Sequence, residues 1–380
     1  HAWQTDAKPP DAADIREPMT EAAAKGSGRH WGIVLPAVAL GALVILYSVY
    51  WFAVADEVRK SVEAFSARGE EGLVTGWEDF SVGGYPYRIE ARFETPAASA
   101  PETPEAWEWR GERAAVALLP YNLRHAVLTL GGEQVLRYRD VRTASQATSE
   151  LRAKAETARA SYVDLPESPF GRLAIDIENL DAAHRRGATG AEDNIVAGRL
   201  QLHTCPALDE TGAPVPASYD IAVQADSIAV DGAERVPALG NGMELLLIQA
   251  RLRDVPQTAH VSAVELLQAW RANGGTLALS DLIVKWGPLD LTASGELALD
   301  AQNRLEGQLD ARVTDFDGLL KAMVRDGVVK EDEARIALAG LVLVSQFQGN
   351  RSDEVRVPVI MREGRLFLGP LAIAKLEPLY

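Results

Sequence analysis

Along most of the chain, apolar and polar residues alternate. The breaks in that alternation mark the remaining elements. The first break is Trp31 to Ala53, a run of about 23 residues without a charged side chain. As a helix it spans roughly 34 Å, enough to cross a hydrocarbon core of about 30 Å. Trp31 lies at one end and Tyr47, Tyr50, Trp51 and Phe52 at the other, as amphipathic aromatics do at the headgroup layer. The pattern predicts an uncleaved signal anchor with span ends Trp31 and Ala53. Two alternatives stay open. One is a cleaved signal peptide, with Ala53-Val54-Ala55 as the small-residue site, although the run exceeds the usual apolar stretch of about 7–15 residues. The other is a buried core helix, which rarely lacks a polar face.

After the run, residues 54–72 mix Val58, Val62 and Phe65 with Glu57, Arg59 and Lys60. That spacing predicts a juxtamembrane amphipathic helix ended by Gly69 and Gly72. Residues 73–380 then alternate again. Tyr87, Ile89, Ala91 and Phe93 oppose Arg88, Glu90 and Arg92, a half-buried strand behind a turn at Gly83-Gly84-Tyr85-Pro86. Residues 94–105 read as a loop. A strand over 114–119 stops at Pro120. Gly131-Gly132 between 125–130 and 133–138 reads as a hairpin turn. Residues 146–162 are Ala-rich yet alternate, and their neighbours favour strand. Short alternating segments follow at 171–180, 199–203, 218–230 and 244–252, with loops at 205–216 and 231–241. Val264, Leu266, Leu267 and Trp270 recur at helical spacing within 261–272, and residues 316–324 and 333–344 predict two more helices. Alternation is clearest at 289–313, where Leu289, Leu291, Leu297, Leu299, Leu305 and Leu309 share one face. Strands at 355–361 and 365–368 close the chain. The fold class is α+β: mainly antiparallel sheet, long and curved or sandwich-like, with a few helices and one N-terminal transmembrane helix.

Composition changes this picture in four places. The first thirty residues are polar and Pro-bearing and predict a disordered tail. Met19 lies twelve residues before Trp31, a normal distance for a start before a signal anchor. Residues 1–18 therefore read as an upstream extension foreign to the native chain, or as part of that tail. Arg16, Lys25 and Arg29 before the run balance Arg59, Lys60 and Arg68 after it. The basic flank directly ahead of the run places the N-terminus in the cytoplasm and the large domain in the periplasm, anchored once in the inner membrane. The net charge of −16, with a pI near 4.9, lacks the basic stripe that nucleic-acid binding needs. It also repels anionic headgroups, so the body is not expected to lie flat on lipid. Cys205 is the single cysteine, so no internal disulfide exists, and the core must hold the fold.

Three stretches carry a family resemblance: Gly84-Tyr85-Pro86-Tyr87-Arg88, Trp109-Arg110 leading to Leu119-Pro120-Tyr121-Asn122, and the closing Gly369-Pro370-Leu371. Together with the single N-terminal span, in this order, they resemble the bacterial family catalogued as domain of unknown function 2125, common in alphaproteobacteria. The resemblance covers most of residues 56–380. It implies no activity and no catalytic residues. In style the chain is also similar to envelope proteins whose long β-sheets handle lipids, an analogy of architecture only.

Candidate chemistry is sparse. The chain carries no G-x-S-x-G elbow, P-loop or H-E-x-x-H. His203-Thr204-Cys205 lacks the further ligands a structural metal site needs. Asp281, Asp290, Asp300 and Asp310 alternate with leucines as solvent-facing strand positions do. No catalytic residue, metal or cofactor is therefore expected. Tyr85, Tyr87 and Arg88 are the candidate binding loop, with Arg88 placed to grip a phosphate or carboxylate. The alternative is a turn whose aromatics pack the sheet and whose Arg pairs with an acidic neighbour. Trp107, Trp109, Trp270 and Trp286 line an apolar pocket or fill the core. The six leucines at 289–309 are the candidate apolar groove. The function expected from all this is binding or passing lipid in the cell envelope. An envelope scaffold with a filled core and an unknown protein partner is the alternative, and an enzyme ranks last.

Overall fold

The computed structural model describes residues 31–68, 72–140, 147–187, 190, 192–232, 237–257, 262–336, 338–339, 354–369 and 371–380. The chain divides into two units, His1–Tyr50 and Trp51–Tyr380. Helix α1, Trp31–Arg68, is continuous, so the expected span and juxtamembrane helix are one element. Leu40, Leu43 and Leu46 stand exposed on it, and its most apolar window, of mean hydropathy 2.1, is only 6% buried. That exposure removes the core-helix alternative. Among the described residues it leaves one helix apolar and long enough to cross a membrane or to serve as a signal sequence.

The second unit is built on one sheet. Its first eight strands are β1 (Val74–Gly76), β2 (Asp79–Gly83), β3 (Ile89–Glu94), β4 (Ala97–Ala100), β5 (Trp107–Leu119), β6 (Asn122–Arg139), β7 (Thr148–Lys154) and β8 (Thr157–Leu165). Five more follow: β9 (Ser168–Arg185), β10 (Glu192–Leu208), β11 (Pro214–Asp231), β12 (Gly242–Leu252) and β13 (Leu277–Trp286). The last five are β14 (Leu289–Leu299), β15 (Leu305–Thr314), β16 (Glu354–Arg362), β17 (Arg365–Leu368) and β18 (Leu371–Lys375). Helix α2 (Ala263–Ala272) precedes β13, and α3 (Phe316–Arg325) follows β15. Each pairing among these strands is antiparallel and most join sequence neighbours. The expected α+β class, dominated by antiparallel sheet with few helices and an N-terminal apolar helix, is what the chain adopts.

Directly paired residues on neighbouring strands share a face, so the register turns local alternation into long rows. One row runs Val82, Ala91, Val116, Leu128, Ala160, Ile175, Leu202. It continues through Val223, Ile248, Leu282, Ala293, Ala311 and Val357. Every member is aliphatic. Two residues along, a second row runs from Phe80 and Phe93 through Leu130, Ile177, Leu200, Ala225 and Leu246 to Leu291, Val313 and Val355. The register between them carries Arg159, Asp176, Gln201 and Gln224 on the opposite face. The sheet therefore has one greasy face across almost its whole width.

Helix α3 seals the C-terminal end of that face. Its Phe316, Leu319, Leu320 and Met323 recur at helical spacing and are buried with Leu309, Ala311, Val313, Val357 and Val359. Asp315 caps it, its carboxylate accepting from Gly318 N–H at 3.1 Å. Helix α2 does the same on a smaller scale. Ser262 caps it, and Trp270 is buried with Tyr219 and Val255, its indole donating to the Arg253 carbonyl at 2.8 Å.

Three local expectations are corrected. Gly131-Gly132 makes no hairpin: β6 runs through it, and Gly132, at φ +76°, gives a bulge opposite the Gly111/Arg113 step. At that level β6 changes partner from β8 to β7. The loop expected at 94–105 contains β4, whose small residues pair with the start of β5. The loop expected from Cys205 begins only after Leu208, because β10 continues that far. The Ala-rich stretch from 146 is strand, as its neighbours indicated, from β7 onward. The helix expected at 333–344 is described only in its first turns, and the rest lies outside the described residues.

Candidate functional site

The apolar face changes character along its width. At the N-terminal end, Val62 and Phe65 of α1 join Phe93, Trp109, Val116 and Leu128 in lining an open hollow of about 640 Å³. Its walls are almost wholly hydrocarbon and aromatic. Ser66 fixes the helix end there by donating its hydroxyl to the Thr75 carbonyl at 3.0 Å. Beyond Leu128 the rows run on through Ile175, Ile177, Leu200, Leu202 and Val223, all half-buried. At the C-terminal end the same rows are sealed.

The six leucines expected to form a groove fall mostly in that sealed end. Leu297 and Leu309 are 6% and 2% exposed within the cluster under α3, and Leu289 and Leu291 pack partly buried against it. Leu299 packs beside Trp270, and Leu305 is half-buried on β15. They are packing residues; β12 still belongs to the sealed end through Ile248 and Ala250, and among the described residues the stretch of the face that no helix covers lies on β8 to β11. Local alternation at 171–180, 199–203 and 218–230 is the signal that marks this stretch. Of the tryptophans, Trp109 lines the hollow beside α1, Trp270 is core, and Trp286 donates to the Gly240 carbonyl at 3.0 Å.

The loop of Tyr85, Tyr87 and Arg88 lies beside the end of the charge-free run. Trp51 is 3% exposed. Its indole donates to the Arg88 carbonyl at 3.2 Å, and its ring meets Tyr85 edge-on at 5.4 Å. Phe52 stacks on Tyr85 at 5.7 Å. Gly84, at φ +100°, makes the turn possible: a Cβ there comes within 2.6 Å of the Arg88 carbonyl oxygen. Arg88 pairs with Glu90 at 2.7 Å. Tyr85 and Arg88 thus fit the packing alternative, whereas Tyr87 points outward, 83% exposed.

The polar face is tied by arginines. Arg199 grips Asp176 through two hydrogen bonds, at 2.8 and 3.0 Å, which hold that carboxyl below its ordinary pKa against a smaller opposing effect of burial. Glu150 accepts from Arg137, Arg152 and Arg185 at 2.7, 2.8 and 2.9 Å. The Arg137 hydrogen bond leads in lowering its pKa. A hollow of about 890 Å³ on this face is lined by His125, Ser161, His203, Cys205, Asp220 and Arg251, among others. His125 Nε2 meets Ser161 Oγ at 2.9 Å, and Asp220 accepts two bonds from Arg251. Among the described residues no carboxylate orients the other nitrogen of His125, so the pair lacks the third member of a hydrolytic triad. Nor do three of His, Cys, Asp or Glu come together there as metal ligands. Asp281 and Asp310 line a second hollow of about 570 Å³, and Asp300 is held by Arg304.

No curated protein and no solved structure matches this chain. A bacterial family, described as an uncharacterized protein conserved in bacteria (DUF2125), matches residues 51–377. The match opens at Trp51, where the indole closes on the Tyr85 turn, and ends just past β18, so it takes in the whole sheet: the chain belongs to the DUF2125 family.

Proposed function

We propose that the protein is a membrane-anchored periplasmic protein that holds or passes a lipid acyl chain along the apolar face of its sheet. One observation carries this reading: an unbroken apolar row that leads from a hollow beside α1 to half-buried aliphatics on β8 to β11. An acyl chain is a flexible apolar strip, and each CH₂ it buries gains about 0.8 kcal/mol. The periplasmic placement draws support from Lys25 and Arg29 directly before the apolar run and from the long body after it. Protease added to spheroplasts tests that placement and must degrade the body.

The lipid reading is tested on the full-length chain with a phospholipid carrying a diazirine in its acyl chain. After illumination, labelled peptides are expected from β8 to β11 as well as from the span. Label confined to residues 31–53 overturns the reading. A second reading, a scaffold with a filled core, draws on the cluster under α3. It predicts that outcome together with a stoichiometric protein partner.

A further inference from the structure

Two neighbouring tips of the sheet carry side chains that a water-facing surface does not favour. One is the turn at 84–88. The other is the β5–β6 tip, Leu119 to Asn122. They are adjacent because Ile89 pairs with Leu118, and Leu119 pairs with Asn122 across the tip. Tyr87 is 83% exposed and Tyr121 81%, with Leu123 at 49% beside them. Phe52 is 60% exposed, and Tyr85, stacked on it, 45%. Five aromatic or aliphatic side chains thus crowd one corner of the body. Arg88, paired with Glu90 yet 55% exposed, closes the first tip, and exposed Arg124 lies two residues past the second.

The height of this corner is set by Trp51. That residue is in the last turn of the charge-free run, and the first charged residue after it is Asp56. Its indole holds the Arg88 carbonyl, and Phe52 stacks on Tyr85. The turn at 84–88 is therefore fixed at the depth where the chain leaves hydrocarbon for the headgroup layer. Tyrosine with an apolar ring and a wet hydroxyl suits that layer, and arginine there meets lipid phosphate. The next tip along, between β8 and β9, carries exposed Asp164 and Glu167 instead. The patch ends there.

We infer that this corner, Tyr87 and Tyr121 with Leu123, Arg88 and Arg124, docks into the headgroup layer of the membrane that α1 crosses. The body then meets the bilayer by one edge and does not lie flat on it. The inference needs the span but not the acyl-chain site, and a lipid that never reaches β8 to β11 leaves it untouched.

The test uses the full-length chain in vesicles of phosphatidylethanolamine and phosphatidylglycerol. In a Cys205→Ser background, Tyr87→Cys, Tyr121→Cys and Leu123→Cys each carry a polarity-sensitive fluorophore. Asn241→Cys, at the far ends of the strands, is the control. Labels at 87, 121 and 123 are expected to shift to the blue and to lose most of their emission to a spin-labelled headgroup lipid, while 241 keeps its emission. All these positions are exposed, and a thermal melt matching the parent's verifies each labelled chain. Three tip labels as unquenched as 241 overturn the inference. So does energy transfer between labelled copies without lipid quenching, which assigns the corner to a second copy of the chain.

Discussion

Val313 and Val223 belong to the same face of the same sheet, yet one is fully buried and the other half-buried. The difference lies in what joins the strands. Between β15 and β16 the chain inserts residues 315–353, and α3 within that insertion returns over the face. Between β12 and β13 it inserts residues 253–276, and α2 within it packs on Tyr219 and Leu252. Strands β8 to β11 are joined by short tips at 166–167 and 209–213 and, between β9 and β10, by residues 186–191. No helix fits in so few residues. Apolar patterning alone does not bury a sheet face, because the cover has to come from connection length. An apolar face kept without such cover is where a ligand has room.

The sharpest way to break this comparison is a pair of truncations. Leu309→Ala, at 2% exposure, is expected to cost about 2–5 kcal/mol, the range for a cavity in a packed core. Leu202→Ala, in the half-buried stretch, is expected to cost about 1 kcal/mol, part of the transfer energy of a fully buried leucine. Urea unfolding measures both. Equal costs mean that the two ends of the face are packed alike and that the middle is not open.

A smaller effect is expected at the cover itself. Asp315→Ala removes the carboxylate that accepts the Gly318 N–H, and loss of such a cap costs about 1 kcal/mol. Hydrogen exchange should quicken over Phe316 to Met323 and at their partners Val313 and Val357, with no change over β9 to β11. Faster exchange across the whole sheet means that α3 holds more of the fold than its own end.

Much of this was legible in the residues, and the limits have physical causes. The leucine face at 289–313 and the helical spacing of Phe316 to Val324 are local patterns, visible in any short window. The charge-free run was equally plain. That Ile175, Leu202 and Val223 form one row was not, because a row needs the register of partners far apart in sequence. Placing the groove on Leu297 and Leu309 failed to foresee that α3 lies over them, a matter of tertiary packing. Gly131-Gly132 looked like a turn because turn and bulge ask the same left-handed step of a glycine. The loop of Tyr85 to Arg88 was visible as a motif, but its contact with Trp51 joins residues more than thirty apart.

The smallest effect probes what holds the uncovered strands together. Where α3 supplies apolar cover, cohesion comes from the core. On β6 to β11 it draws more on arginine–carboxylate pairs, Glu150 with three arginines and Asp176 with Arg199. Both carboxyls are held below their ordinary pKa values, chiefly by those hydrogen bonds. A carboxyl lowered in the folded state adds stability above its unfolded value of about 4, and that share is lost as the pH falls through the lower folded value. Acidification should therefore loosen β6 to β11 before the strands buried under α3, as hydrogen exchange at falling pH can resolve. The β14–β15 tip is the one part of β14 to β16 expected to follow, because there, against the opposing effect of burial, Arg304 holds the Asp300 carboxyl low. Glu150→Gln should flatten the acid limb for the first region and leave the second unchanged. The arginines around Glu150 are substantially exposed, so at neutral pH the loss stays within about 1 kcal/mol. If both regions open together on acidification, the uncovered strands share the cohesion of the sealed end, and the distinction drawn between them is one of exposure alone.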